Sequence, residues 1–189
     1  MRFCVYLRIS MLLILLLAVA APAHAGKGLV ADYAFRSSGG GDTTLRDESG
    51  RENHGAIHGA TWRRGEKAFR LVFDGENDYV DCGAGASLDL RKAATVEVWV
   101  KPETDPLVEV GIAGKHFSNY ALTLYRGAYW WYISSGSNQV KSAARIGAWQ
   151  HVVGTFDGQD MKLYVDGKLA TARKSKLPVS YTHLTLPTN

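Results

Sequence analysis

The chain has 189 residues, 46% of them hydrophobic and 21% charged, with 22 Lys and Arg against 18 Asp and Glu. Setting aside Arg2 and Arg8 near the amino terminus leaves 20 cationic residues against 18 acidic ones, a net charge of +2 over residues 26–177. That near balance, with no Lys/Arg cluster interleaved with aromatics, excludes a nucleic-acid groove, and the length suits one domain.

Residues 1–25 read as a secretory signal peptide: two arginines, an apolar run from Met11 to Ala21, and Ala23-His24-Ala25 as a small-x-small site, with cleavage before Gly26. The apolar run is shorter than the roughly 20 residues a bilayer span needs, so no membrane span is expected after cleavage. The sequence therefore predicts a secreted, cell-surface or periplasmic protein. Cys4 would leave with the signal, and Cys82 is then the single cysteine, expected as a buried thiol that packs like a small hydrophobe.

From Gly26 onward, short apolar runs and Gly-rich turns predict an all-β fold of two antiparallel sheets packed face to face. The first strand is expected at Leu29–Phe35, with a loop at Ser38-Gly39-Gly40-Gly41-Asp42. A turn rich in Asp, Ser, Gly and Asn runs from Asp47 to Gly55. Leu71–Phe73 and Tyr79–Val80 read as a strand pair about Asp74-Gly75, and Thr95–Pro102 as the next strand. Pro102 and Pro106 interrupt Glu103–Glu109, which reads as a solvated loop. Beyond it, Tyr120, Leu122 and Leu124 alternate. In Tyr129-Trp130-Trp131-Tyr132-Ile133 the strand period of two puts Tyr129, Trp131 and Ile133 in the core, leaving Trp130 and Tyr132 outward with Tyr125.

Trp149–Ala170 is the most legible stretch. Two turns, Asp157-Gly158-Gln159-Asp160 and Asp166-Gly167, divide it into a strand meander, with Leu163 and Val165 on one face and Lys162 and Tyr164 on the other. The uncharged run Val179–Thr188 departs from this patterning and reads as translated sequencing adapter. Residues 178–189 are therefore set aside as a non-native tail.

Four blocks in order, Asp47–Gly55, Phe73–Val80, Thr95–Pro102 and Trp149–Gly167 (W-x-H-V-x-G-T-x-D-G followed by L-Y-V-D-G), resemble the LamG-like jelly-roll family of the concanavalin A-like lectin and glucanase superfamily. The resemblance implies an incomplete jelly roll over residues 26–177. The family's closing block, F-x-G-x-I-D-E-V-R-I-Y, is absent, so one strand position is expected to be vacant, with Ser180–Asn189 loose or laid into it.

The same resemblance frames the site. Glu103, Asp105 and Glu109 echo the E-x-D-x-x-E of glucanases, but the last acid falls one residue too far along and the prolines break the strand. A retaining pair also needs its carboxyls about 5 Å apart, so no catalytic residue is assigned. His54, His58, His116 and His151 are scattered, and no nucleophile elbow or zinc motif is present. The binding surface is expected at Tyr125, Trp130 and Tyr132, whose rings can stack on the C–H faces of sugars; the alternative is that these rings face the fold's own loops. Relatives of this kind often hold a structural calcium ion. Asp47 and Asn53 offer the hard oxygens it prefers, and Asp74, Asn77 and Asp78 form a second acidic turn, although such residues also dominate ordinary turns. The function implied is a secreted, non-catalytic module that binds a glycan or another extracellular polymer. A protein-binding or adhesion module is the alternative, and a glucanase fragment a more distant one.

Overall fold

The computed structural model describes residues 28–36, 41–65, 69–115 and 119–175, together with the backbone course of residues 3–6; at 135–137 it likewise describes backbone alone. The tail at 178–189 and the loop residues 38–40 lie outside the described residues. In chain order the strands are β1 (Phe3–Tyr6), β2 (Thr44–Leu45), β3 (Gly55–His58), β4 (Thr61–Arg64), β5 (Phe69–Phe73), β6 (Tyr79–Asp81) and β7 (Ala94–Pro102). They continue with β8 (Val110–Lys115), β9 (Tyr120–Tyr125), β10 (Ala128–Ile133), β11 (Ser135–Ala143), β12 (Gln150–Phe156), β13 (Asp160–Val165) and β14 (Lys168–Lys174). A short 3-10 turn at Ala86–Leu88 precedes β7. Among the described residues no helix is long and apolar enough to cross a membrane.

The all-β expectation holds. A seven-stranded sheet in the order β14-β13-β12-β7-β1-β5-β4 faces a four-stranded sheet, β11-β10-β9-β8, and a three-stranded sheet, β2-β3-β6, packs to one side. Every pairing is antiparallel. The meander read from the sequence is β12, β13 and β14, and its second turn works because Asp166 and Gly167 both take left-handed φ, 51° and 75°. Arg126 and Gly127 close the β9–β10 hairpin in the same way, with φ of 46° and 67°.

Alternation then builds the core. On the seven-stranded sheet Val98, Val100, Val152, Phe156, Met161 and Leu163 turn inward, and they meet Tyr120, Leu122, Leu124, Tyr129, Trp131 and Ile133 of the four-stranded sheet. Two polar contacts, one buried and one part-buried, bridge the facing sheets. The Tyr129 hydroxyl donates to Gln150 Oε1 at 3.0 Å, and Trp131 Nε1 donates to the Thr155 carbonyl at 3.1 Å. A second core, formed by Tyr33, Phe35, Leu45, Ala60 and Leu71, lies under the three-stranded sheet, and Phe73 packs against both.

Three local expectations are corrected. Leu29–Phe35 forms no strand, because the Asp32 amide is taken by the Asp47 side chain at 2.8 Å and Phe35 turns into left-handed φ of 50°, although Tyr33 and Phe35 are buried as a strand's core face would be. β5 and β6 flank the expected turn but are not a pair: β5 joins the seven-stranded sheet and β6 pairs with β3. Cys82 is half-buried at the edge of the second core rather than fully enclosed. Between β5 and β7, Phe3–Tyr6, within the segment read as leader, pairs with both.

Candidate functional site

β9 and β10 present one continuous outer face. Register places Gly111, Thr123, Trp130 and Lys141 in one row across the four-stranded sheet, Ala121, Tyr132 and Gln139 in the next, and Tyr125, Ala128 and Ala143 in a third. Tyr125, Trp130 and Tyr132 thus share the face that their alternation predicted. The Trp130 and Tyr132 rings stack with centroids 6.0 Å apart and planes within 8°, and Trp130 Nε1 donates to the Tyr125 carbonyl at 3.3 Å.

The three rings differ in access. Tyr125 and Trp130 are half-buried, whereas Tyr132 is only 6% exposed. Thr123 donates its hydroxyl to Glu109 Oε1 at 2.6 Å, and the Tyr132 phenol lies against the same pair. Burial, reinforced by the Glu109 carboxylate, pushes that phenol well above the ordinary tyrosine range, so it stays protonated as a donor. Cations flank the two accessible rings: Lys141 Nζ lies 4.7 Å from the Trp130 ring and Arg126 Cζ 5.0 Å from the Tyr125 ring. Sequence reasoning missed Thr123, Glu109 and Lys141. Thr123 and Lys141 were accessible from strand alternation once β9, β10 and β11 were aligned; Glu109 was not, because it reaches the face from a loop.

The carboxylates that echo a glucanase motif are pulled apart. Glu103 pairs with Lys101 Nζ at 3.0 Å, Asp105 Oδ1 accepts from the Gly127 amide, and Glu109 holds Thr123. All three sit on the loop before β8, not on one strand face. That loop also exposes Leu107 (82%) and Val108 (69%). It is tied to the β9–β10 turn by the Arg126 amide, which donates to the Pro106 carbonyl, and Ile146 lies at the same end through the Gly147 amide and the Pro102 carbonyl.

His151 is occupied as well. Its Nε2 is 2.7 Å from Glu97 Oε1, and its ring packs on Trp99 with centroids 5.1 Å apart, on the outer face of β7 and β12.

Asp47 and Asn53 meet in a turn network that uses their oxygens. Asp47 Oδ1 accepts from the amides of Asp32 and Ser49, and its Oδ2 from the Ser49 hydroxyl and the Asn53 amide, at 2.8–3.0 Å. Asn53 Oδ1 accepts from the Ser87 hydroxyl, and its Nδ2 donates to the Val30 carbonyl. Burial would raise the Asp47 carboxyl, but the donors from Asp32, Ser49 and Asn53 outweigh it and hold the group below the ordinary carboxylate range. A calcium ion would have to compete with every one of these donors, so this donor set does not fit the cation. In the second acidic turn Asp74 Oδ1 accepts from the Glu76 and Asn77 amides, and Asp78 Oδ2 from the Asp74 amide.

With this geometry in view, residues 74–186 match the family model described as the concanavalin A-like lectin/glucanases superfamily. The chain belongs to that superfamily, and its sandwich is a jelly roll of this class. Among solved structures it is similar to the binding domain of botulinum neurotoxin DC, solved in complex with rat synaptotagmin II, with a TM-score of 0.57 and 13% identity. That likeness covers 80% of this chain but 41% of the other, so the chain spans about two fifths of that domain's length. An S-layer domain-containing protein from Clostridium thermocellum ATCC 27405 is 19% identical over 84% of this chain and 79% of the other, with a TM-score of 0.36. At these identities the likeness to the toxin domain speaks to fold alone. No curated protein sequence matches the chain.

Proposed function

We propose that this chain is a secreted, non-catalytic binding module whose ligand is a glycan, taken on the outer face of the four-stranded sheet. The observation that carries this reading is the grouping of Tyr125, Trp130 and Tyr132 on one face, with the first two rings partly open and the exposed Glu109 and Lys141 beside them. Aromatic surface rimmed by hydrogen-bonding groups suits a sugar, which offers C–H faces and hydroxyl edges together. Separation of Glu103, Asp105 and Glu109 onto different partners favours binding without hydrolysis. Titration of the chain against a panel of polysaccharides tests both parts. Release of reducing ends from a β-glucan, lost on Glu103→Gln, would reverse the non-catalytic reading.

A second reading has its own observation. The exposed Leu107 and Val108, with Ile146 at the same end, form an apolar loop rim that suits a protein partner in adhesion. Binding to a protein surface that survives Trp130→Ala but fails with a charge at Leu107 would favour it over the glycan.

A further inference from the structure

Each accessible ring on the aromatic face already has a cation against it. Lys141 stands opposite Trp130 in the β10–β11 register, with Nζ 4.7 Å from the centre of that ring, and Arg126 Cζ lies 5.0 Å from the centre of the Tyr125 ring. Both cations are exposed, and among the described residues neither belongs to an ion pair. The attraction of an ammonium or guanidinium for an aromatic face is small where water reaches both. A sugar that stacks on Trp130 or Tyr125 therefore competes with a loosely held cation for the ring. A neutral sugar displaces that cation into water; a sugar bearing a carboxylate or sulfate keeps it in the complex as an ion pair.

The charge around the face has a direction. β9, β10, β11 and β14 contain no Asp or Glu, whereas β11 carries Lys141 and β14 carries Lys168, Arg173 and Lys174. β14 is joined to β11 along that border: Arg173 Nη1 donates to the Gln139 carbonyl at 3.2 Å and Thr171 Oγ1 to the Lys141 carbonyl at 2.8 Å. Acids come from the other side. Glu109 precedes β8, at the far edge of the sheet from β11, and its Oε1 accepts from the Thr123 hydroxyl at 2.6 Å, while Asp105 accepts from the Gly127 amide at the β9–β10 turn. In the row Gly111, Thr123, Trp130, Lys141 the indole thus lies between a carboxylate engaged by a hydroxyl donor and a cationic border.

We propose that the glycan taken by this face is acidic, a chain bearing carboxylates or sulfates that pair with Lys141 and Arg126 while its C–H faces rest on Trp130 and Tyr125. This deepens the glycan reading and rests on it. Stacking supplies the contact common to all sugars, and the two cations supply the choice between charged and neutral chains. Glu109, on the opposite side of the Trp130 row, sets the polarity: an acidic chain is drawn toward β11 and held off the β8 edge.

Calorimetric titration of the full chain against paired probes tests the proposal: oligogalacturonate and the same oligomer with its carboxyls methyl-esterified, and dextran sulfate and dextran. Within each pair the backbone is the same and only the charge differs. At least one acidic member is expected to bind about tenfold or more tightly than its neutral twin, an advantage that shrinks as salt is raised. A preference confined to the galacturonate pair identifies the acid as a carboxylate, and one confined to the dextran pair as a sulfate. Lys141→Gln should bring the acidic form to within about threefold of the neutral one. Lys162→Gln, on the outer face of the opposite sheet, removes the same charge and should leave the preference intact. The proposal is overturned by equal affinity within both pairs, by a preference that survives Lys141→Gln, or by one that falls as far in Lys162→Gln. Neutral chains bound as well as or better than acidic ones would leave the glycan reading standing without this inference, whereas failure of all the probes and of the wider polysaccharide panel would remove both.

Discussion

The indole of Trp131 lies directly on the backbone of Gly154 in the facing sheet. A Cβ at Gly154 would sit 2.7 Å from Cε3 and 2.9 Å from Cγ of that ring, and closer still to Cδ2, while Trp131 Nε1 donates to the neighbouring Thr155 carbonyl. Glycine here is a requirement of sheet-to-sheet distance. Gly154→Ala is expected to destabilise the fold by about 1–3 kcal/mol through overpacking, measured by urea unfolding. In a Trp131→Leu background the same change should cost clearly less, because the two residues share one space. Additive effects would mean that the ring does not set the spacing.

Asp47 is expected to act as a staple for its turn. Asp47→Ala strands buried donors from Asp32, Ser49 and Asn53 and should cost about 2–4 kcal/mol. Since its folded carboxyl is depressed below the unfolded value near 3.9, the unfolded chain takes up the proton first as pH falls. The stabilisation is thus fully present above that value and is lost as pH drops through the folded pKa. Asp47→Asn should accordingly flatten the acid limb of a stability-against-pH curve. Added calcium should leave the melting temperature of the wild type unmoved. A calcium-dependent rise that disappears in Asp47→Ala would restore the cation site.

On the aromatic face, Trp130→Ala should weaken glycan binding by about two- to tenfold, the equivalent of about 0.5–1.5 kcal/mol of stacking. Tyr132→Phe should act differently. Its hydroxyl is enclosed with Glu109 and Thr123, so its loss is expected to lower stability by about 1 kcal/mol and leave affinity nearly unchanged. Calorimetric titration beside thermal melts separates the two effects, and unchanged affinity in Trp130→Ala would remove that ring from the site.

Leu107 and Val108 should matter only if the loop rim is used. With side chains largely in solvent, Leu107→Asp and Val108→Asp are expected to change stability by less than about 0.5 kcal/mol. Glycan affinity should be unaffected within error. Loss of binding to an immobilised protein surface in these variants, with glycan affinity retained, would identify the rim as a second contact surface.

Local patterning alone determined the strand class of the fold, the β12–β14 meander with its Asp166-Gly167 turn, and the sorting of Tyr129, Trp131 and Ile133 inward from Trp130 and Tyr132 outward. Each depends on a period of two or on a turn's need for positive φ, and both are properties of neighbours in sequence. The aromatic face was legible for the same reason. Tertiary structure alone decided what those local signals leave open. Leu29–Phe35 has the apolar content of a strand, yet its Asp32 amide is claimed by Asp47, fifteen positions away. The strands on either side of Asp74-Gly75 enter different sheets, a matter of long-range pairing. Tyr132 reads as outward but is closed off by Glu109 from a loop, and Phe3–Tyr6 enters the sheet between strands remote from it in the chain. Alternation assigns a residue to a face; only contacts between distant segments determine what covers that face and which backbone edge finds a partner.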